Sequence, residues 1–390
     1  MLVFAALAEA VRTDVLCYAE PVWELAVSLA KNTKFLRPSP KLQGLIETFG
    51  GRRGVRSPLV AKTGFGTNPG NLRMFSFAPE SLQLSPALVV VLHGCGQNAA
   101  GYDLGAGWST LAKHYRFALL MPEQQPSNNV NRCFNWFNPQ DSKRGRGEAS
   151  SIRQMIARMV RDHKIDKHRI FVTGLSAGGA MTSVMLASYP EVFAAGAIIA
   201  GLPYGVATNP REAAKRMFQS PARPASELGD LVRNASKHHG PWPKVSVWHG
   251  GADRTIDPAN ADEIVKQWLD VHQLPSAPMS EGTVDGYPHQ IWRNADRETV
   301  VESYTITNMA HGTPLGTAEN GKRYGMQGAF LIEAGISSSY HIAKFFGLTK
   351  RLRKPQKVTK PAAKQTPPKS QRKRRAAISS APTAVGLKKH

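Results

Sequence analysis

Cysteine is scarce. Three cysteines in 390 residues, with no Cys-x-x-Cys pair, exclude a disulfide-dense scaffold and leave no zinc-finger spacing. Acidic residues are also in deficit: 28 Asp and Glu stand against 50 Lys and Arg, a net charge of +22. The deficit is local. Residues 350 to 390 hold fourteen Lys/Arg and no Asp or Glu, so this tail carries +14 and the body about +8 (22 − 14). Basicity therefore belongs to the tail and says little about the body. Glycine and proline follow no collagen-like period, and 42% hydrophobic against 20% charged residues excludes wholesale disorder. Two stretches long enough to span a bilayer lack charge, 170–190 and 192–210. Both are interrupted, by Gly174, Gly178 and Gly179 in the first and Gly196, Gly201 and Pro203 in the second, and read as buried strand–turn–helix segments. The N-terminus, Met1-Leu2-Val3-Phe4-Ala5-Ala6-Leu7-Ala8, has no basic n-region, and Glu9 ends its apolar run. It reads as an amphipathic helix rather than a signal peptide, unless the start codon is misassigned.

What is present is a chain of three parts. Residues 1–60 read as short helices and a linker, broken by Pro38, Pro40, Gly50, Gly51 and Gly54. Residues 61–348 alternate apolar strands with helices. Strands are expected at Leu72–Phe77, Leu88–Leu92, Phe117–Met121 (stopped by Pro122), Ile170–Thr173, Ala197–Ala200, Val245–Trp248 and Val300–Ile306. Ile152, Met155, Ile156, Met159 and Val160 recur at helical spacing, and further helices follow at Met181–Leu186, Ile264–Leu269 and His341–Phe346. This alternation predicts an α/β fold with a mostly parallel central sheet flanked by helices. Residues 205–243, with Pro221, Pro224, Pro241 and Pro243, read as an insertion that could form a lid. Residues 349–390 are basic, Pro-rich and aromatic-free, and read as disordered.

Chemistry enters at Gly174-Leu175-Ser176-Ala177-Gly178, a G-x-S-x-G motif between a strand and an apolar helix. In that context the glycines permit a sharp turn that presents Ser176 at the top of the sheet as a nucleophile. A serine hydroxyl needs a base, and the base needs an orienting acid, in the chain order Ser, acid, His. Asp253, just past the strand Val245–Trp248, is the expected acid, with Asp257 as its rival. His311, just past the strand Val300–Ile306, is the expected base. His289, near a hairpin, and His341, in the last helix, are its rivals. The expected oxyanion donors are the backbone N–H groups of Ala177 and of Cys95 in the Gly-rich loop His93-Gly94-Cys95-Gly96-Gln97. Trp136, which lies with Phe134 and Phe137 on the loop between the third strand and the amphipathic helix, could line an apolar acyl pocket. No metal or cofactor is required for this chemistry.

The chain resembles the polyhydroxybutyrate depolymerase-type esterases, relatives of feruloyl and acetylxylan esterases in the α/β-hydrolase fold. The matching segments are Leu92–Gln97, Cys133–Phe137, Gly145–Glu148, Gly174–Met181, Ala200–Gly205, His249–Asp253 and His311-Gly312, across residues 70 to 346. The resemblance implies Ser176, Asp253 and His311 as nucleophile, acid and base, and Tyr204 beside Trp136 as a substrate contact. It also implies that Cys95 and Cys133 are close in space; a bond and a pair of reduced thiols remain open, and Cys17 is left over. The expected reaction is carboxylic ester hydrolysis through an acyl-enzyme, on poly(3-hydroxybutyrate), its oligomers or similar esters. Feruloyl or acetylxylan esters, or peptidase and acyltransferase chemistry on the same fold, are the alternatives. A rival of another kind is a binding protein whose tail meets a polyanion, an anionic surface or a granule. The resemblance implies an extracellular protein and the N-terminal reading a cytoplasmic one.

Overall fold

The computed structural model describes residues 56–82, 84–317 and 324–349. The short helices expected within residues 1–55 and the disorder expected beyond residue 349 fall outside these residues.

Ten strands build one sheet among the described residues: β1 (Val60–Lys62), β2 (Arg73–Phe77), β3 (Leu88–Leu92), β4 (Ala118–Glu123), β5 (Ile170–Leu175), β6 (Ala195–Ile199), β7 (Lys244–Gly250), β8 (Ser280–Val284), β9 (Tyr287–Arg293) and β10 (Thr299–Ile306). Their order is β1-β2-β4-β3-β5-β6-β7-β10-β9-β8. The stretch from β4 through β3, β5, β6 and β7 to β10 is parallel. Antiparallel pairs close each side, β1–β2–β4 on one and β10–β9–β8 on the other. A short parallel pair, β11 (Thr313–Leu315) and β12 (Leu331–Glu333), stands apart.

The helices are α1 (Ala99–Ala106), α2 (Trp108–Tyr115), α3 (Pro139–Ser142), α4 (Gly147–His163), α5 (Ala177–Ser188), α6 (Pro210–Phe218), α7 (Ala225–Arg233), α8 (Ala259–Val271) and α9 (Ser338–Phe345). They cover both faces of the sheet, which is why β3 can be apolar at every position. Leu88, Val90 and Leu92 point into one core with α4, α5 and α8; Val89 and Val91 point into the other with α1, α2 and α9. Every residue of α5 is buried, Thr182, Ser183 and Ser188 included, whereas α4 buries one side, Ile152, Met155, Ile156 and Met159 together with Glu148, Ala149 and Ser151 at its start.

The expected stop of the fourth strand at Pro122 is corrected. β4 runs on to Glu123. Its ladder with β3 ends at Leu120, and Pro122 is paired with β2 alone, where a proline costs no bond to a second neighbour. The two uncharged stretches are β5 with α5 and β6 with its following loop, and no helix among the described residues is long and apolar enough to cross a membrane. Residues 205–243 carry α6 and α7. The latter is anchored by buried Leu228 and Val232 and by Arg233, whose guanidinium reaches Asp270 of α8 at 2.6 Å.

Candidate active site

The carboxyl ends of β3, β5, β7 and β10 lie on one edge of the sheet, and the residues singled out above follow these strands. Ser176 links β5 to α5 with φ +57° and ψ −118°, a conformation that costs a non-glycine residue strain. The surrounding contacts over-determine it: its N–H donates to Ile199 O at 2.9 Å, and its carbonyl accepts from Ala180 N at 2.8 Å. The flanking glycines are required by space. A Cβ on Gly174 would stand 2.4 Å from Gly178 O, and one on Gly178 would stand 2.4 Å from Leu92 O and 2.5 Å from His93 O. The turn therefore closes only without side chains there, and it packs directly against the end of β3.

Asp253 and His311 come from adjacent parallel strands whose exit loops are laced together. Gly251 N donates to Ile306 O at 2.9 Å and Ala252 N to Met309 O at 3.0 Å. This lacing sets His311 Nδ1 at 2.7 Å from Asp253 Oδ2. The other carboxylate oxygen, Oδ1, accepts from Thr255 N at 2.8 Å and Ile256 N at 2.9 Å. Sequence reasoning left His249 without a role, yet its Nε2 lies 3.2 Å from Asp253 Oδ2 and 3.1 Å from Ile256 O. Burial works against a charge on Asp253. Hydrogen bonds from His249 and His311, the attraction of His311 and the Ile256 N–H outweigh it and hold the carboxyl well below the usual carboxylate range. Ser176, Asp253 and His311 are all nearly buried, and the half-exposed ring of Phe330 meets the His311 ring edge-on at 5.8 Å.

The rivals are engaged elsewhere. Asp257 accepts from Ala259 N at 3.0 Å and Ser220 N at 3.1 Å. His289 lies on β9, 3.2 Å from Glu302, and His341 lies on α9, 2.9 Å from Asp285.

Cys95 and Cys133 are joined by a disulfide, which ties the loop after β3 to the loop that carries Trp136. Gly96 N donates to Asn131 O at 2.7 Å across the same junction. Trp136 is almost buried and meets Phe137 edge-on at 5.5 Å. Phe134 has no exposed surface and packs 5.0 Å from the His93 ring, so it supports the loop. The expected place of Tyr204 is corrected. Tyr204 is half-buried; its backbone N–H and carbonyl are held by Gln267 of α8, and its hydroxyl is directed to Ser188. Ser188 ends α5, about 18 Å of helix from Ser176. Tyr204 therefore fixes the back of the fold and is not a substrate contact.

The sheet order, the flanking helices and the serine turn define an α/β-hydrolase. The fold is shared with an acetyl xylan esterase from Aspergillus awamori at a TM-score of 0.64 and 24% identity, covering 74% of this chain and 99% of that one. Residues 75–280 match the family model described as esterase PHB depolymerase. Poly(3-hydroxyalkanoate) depolymerase C of Paucimonas lemoignei is 45% identical over 291 residues, 74% of this chain and 70% of that protein. An acetylxylan esterase of Coprinopsis cinerea is 32% identical over 65% of this chain and 69% of that protein, and feruloyl esterase B of Neurospora crassa is 30% identical over 76% and 94%. The chain is a carboxylic ester hydrolase, and it belongs to the esterase PHB depolymerase family.

Proposed function

We propose that the chain hydrolyses esters of 3-hydroxyalkanoates, as polymer or oligomer, through an acyl-enzyme on Ser176. The observation that carries the catalytic part is the pairing of His311 Nδ1 with an ionised Asp253 at 2.7 Å, on loops at the same sheet edge as a strained serine turn. The substrate class is taken from the 45% identical depolymerase, against 32% and 30% for the acetylxylan and feruloyl esterases.

A carboxylate only accepts, so Nδ1 of His311 carries the proton and Nε2 presents a lone pair. His311 Nε2 removes the Ser176 hydroxyl proton as Oγ attacks the ester carbonyl carbon. The carbonyl π electrons move to oxygen, and the N–H groups of Ala177 and Cys95 receive that oxyanion. The C–O bond to the alcohol breaks, and the proton on His311 leaves with the alcohol. A water then gives its proton to His311, attacks the acyl carbon and releases the acid, and the proton returns to Ser176. Asp253 orients His311 throughout and stabilises its charged form. Trp136, three residues beyond the Cys95–Cys133 tie, is proposed to shape the acyl side of the cleft.

The test is hydrolysis of p-nitrophenyl butyrate, 3-hydroxybutyrate oligomers, a feruloyl ester and acetylated xylan by wild type and Ser176→Ala. Turnover of the oligomers that disappears in the variant supports the reading. Turnover of feruloyl or acetylxylan esters alone would reassign the substrate, and equal turnover in both proteins would dismiss the serine mechanism.

A further inference from the structure

Phe330 is a bulky residue in a place that suits glycine. Its φ is +61°, in the left-handed region that crowds a side chain. With Ala329 it forms the centre of a tight turn, in which Gly328 N donates to Leu331 O and Leu331 N to Gly328 O, both at 3.1 Å. Neighbouring groups hold the turn in place. Phe330 O accepts from Thr313 N at 2.8 Å, and Ala329 O accepts from Gln97 Nε2 at 3.2 Å. Leu331 then enters β12, which pairs with β11, and its side chain seats so closely on α1 that a Cβ on Gly105 would stand 2.0 Å from it. A Cβ on Gly312, the residue after His311, would stand 2.9 Å from Phe330 O. The turn is thus clamped between the loop after β3 and the loop that carries His311.

The clamp fixes the backbone, and glycine would serve it without strain. Nor does the core call for a phenylalanine. Phe330 is 46% exposed and belongs to neither apolar core of the described residues. Core packing therefore does not offset the strain, and strain held at an exposed aromatic points to function. The ring meets the His311 ring edge-on, with centroids 5.8 Å apart and planes at 75°. In the acyl-enzyme reading His311 gives its proton to the leaving alcohol, so its ring borders the alcohol side of the scissile bond.

We propose that Phe330 is a specificity-determining residue: its exposed ring is an apolar contact for the alcohol portion of the ester, so that esters of longer aliphatic alcohols are favoured over methyl esters. In a 3-hydroxyalkanoate chain that portion is the next hydroxyacyl unit, whose carbons are aliphatic. The inference rests on the Ser176 acyl-enzyme reading. It gives Phe330 no proton to move.

The test varies one side of the ester at a time, with rates normalised to active sites titrated with a fluorophosphonate. Methyl and butyl butyrate share an acyl group. The butyl-to-methyl ratio of kcat/KM should fall about 5- to 20-fold in Phe330→Ala and in Phe330→Gly, through a higher KM for the butyl ester. p-Nitrophenyl acetate and butyrate share an alcohol, and their ratio should stay within about twofold of wild type. Phe330→Tyr keeps the ring and should hold the butyl-to-methyl ratio within about threefold. The two truncations lack the same ring but differ in tolerance of a positive φ, so Phe330→Gly should melt about 2 °C above Phe330→Ala. A purely structural role would move melting temperatures and leave the butyl-to-methyl ratio unchanged; that result overturns the proposal. A loss that falls equally on both butyrates, or on the acetate-to-butyrate ratio instead, also overturns it. So does Phe330→Ala melting above Phe330→Gly, which would remove the strain argument. Ser176→Ala assayed in parallel separates the failures. Wild-type turnover there defeats the acyl-enzyme reading itself, whereas an inactive Ser176→Ala beside an unchanged ratio in Phe330→Ala defeats the specificity assignment alone.

Discussion

The Cys95–Cys133 bond closes a loop with a sequence separation of 38 residues. In the chain-entropy account, a cross-link of that span removes conformations from the unfolded chain worth about 4 kcal/mol at 25 °C. The two ends are also joined by the Gly96 N to Asn131 O bond and by Gln124 Nε2 on Cys133 O. Those bonds act in the folded state, so they survive opening of the disulfide and do not restore the lost entropy term. For a domain of this size about 1 kcal/mol moves the melting temperature by about 2 °C, so Cys133→Ala should melt about 8 °C below wild type. Calorimetry or far-ultraviolet circular dichroism reads the shift. Wild type treated with a reductant strong enough to open the bond should converge on the variant. A thiol titration in denaturant checks the premise: of the three cysteines, one should react before reduction and all three after it. A variant that melts within 1 °C of wild type would refute the loop-entropy reasoning, and three reactive thiols before reduction would refute the bond.

Asp253→Asn should cost on the order of 10³–10⁴-fold in kcat, because one end of the amide must present N–H groups either to the His311 and His249 nitrogens or to Thr255 N and Ile256 N. Asp253 is held below its ordinary range, so its contribution to stability is complete above about pH 4 and fades as pH falls further. Denaturant midpoints of wild type and Asp253→Asn should therefore differ at pH 7 and converge in acid; a gap that widens in acid would contradict the assignment. His93, lowered to about 4 from 6.5, behaves in the same sense: the neutral buried ring stabilises the fold above pH 6.5, and roughly 3 kcal/mol of that is lost as pH falls to 4. His93→Asn, which cannot titrate, should lose less stability than wild type over that window. Deleting residues 350–390 should leave hydrolysis of soluble esters intact and abolish salt-dependent retention on an anionic matrix. Loss of both would show that the tail serves the catalytic body.

The sheet was legible because its central strands are buried on both faces and so are apolar at every position, as in Leu88–Leu92. The serine turn was legible because its glycines answer to local contacts, Gly174 with Gly178 O and Gly178 with Leu92 O. Pro122 misled because a proline is read against an isolated strand, whereas its cost depends on how many neighbours the strand has at that point. Tyr204 misled because proximity to a matching segment says nothing of side-chain direction, and its hydroxyl faces the far end of α5. His249 and the Glu148–Gln124–His93 chain were invisible as a network. Glu148 and His93 stand 24 and 31 residues from Gln124, and the rings of His93 and His249 use backbone partners, Gln124 N and Ile256 O, which leave no residue-type signature.

Three histidines gather around these loops, and residue type alone does not say which can act as the base. Each ring's proton is assigned by the group it faces. At His93, a backbone N–H occupies Nε2 and a carbonyl takes the Nδ1 proton, so both nitrogens are spent inside the fold. At His249, Nε2 faces two acceptors, Asp253 Oδ2 and Ile256 O, so it holds the proton; its Nδ1 is buried without a hydrogen-bond partner. That lone pair is walled off from any substrate. His311 alone of the three gives Nδ1–H to a carboxylate, and in the proposed reaction this leaves its Nε2 lone pair to meet Ser176. The choice of base therefore lies in Asp253. By accepting from both rings at one oxygen and from two backbone N–H groups at the other, it stays ionised while buried, and in the proposed reaction it makes one histidine a strut and the other the base.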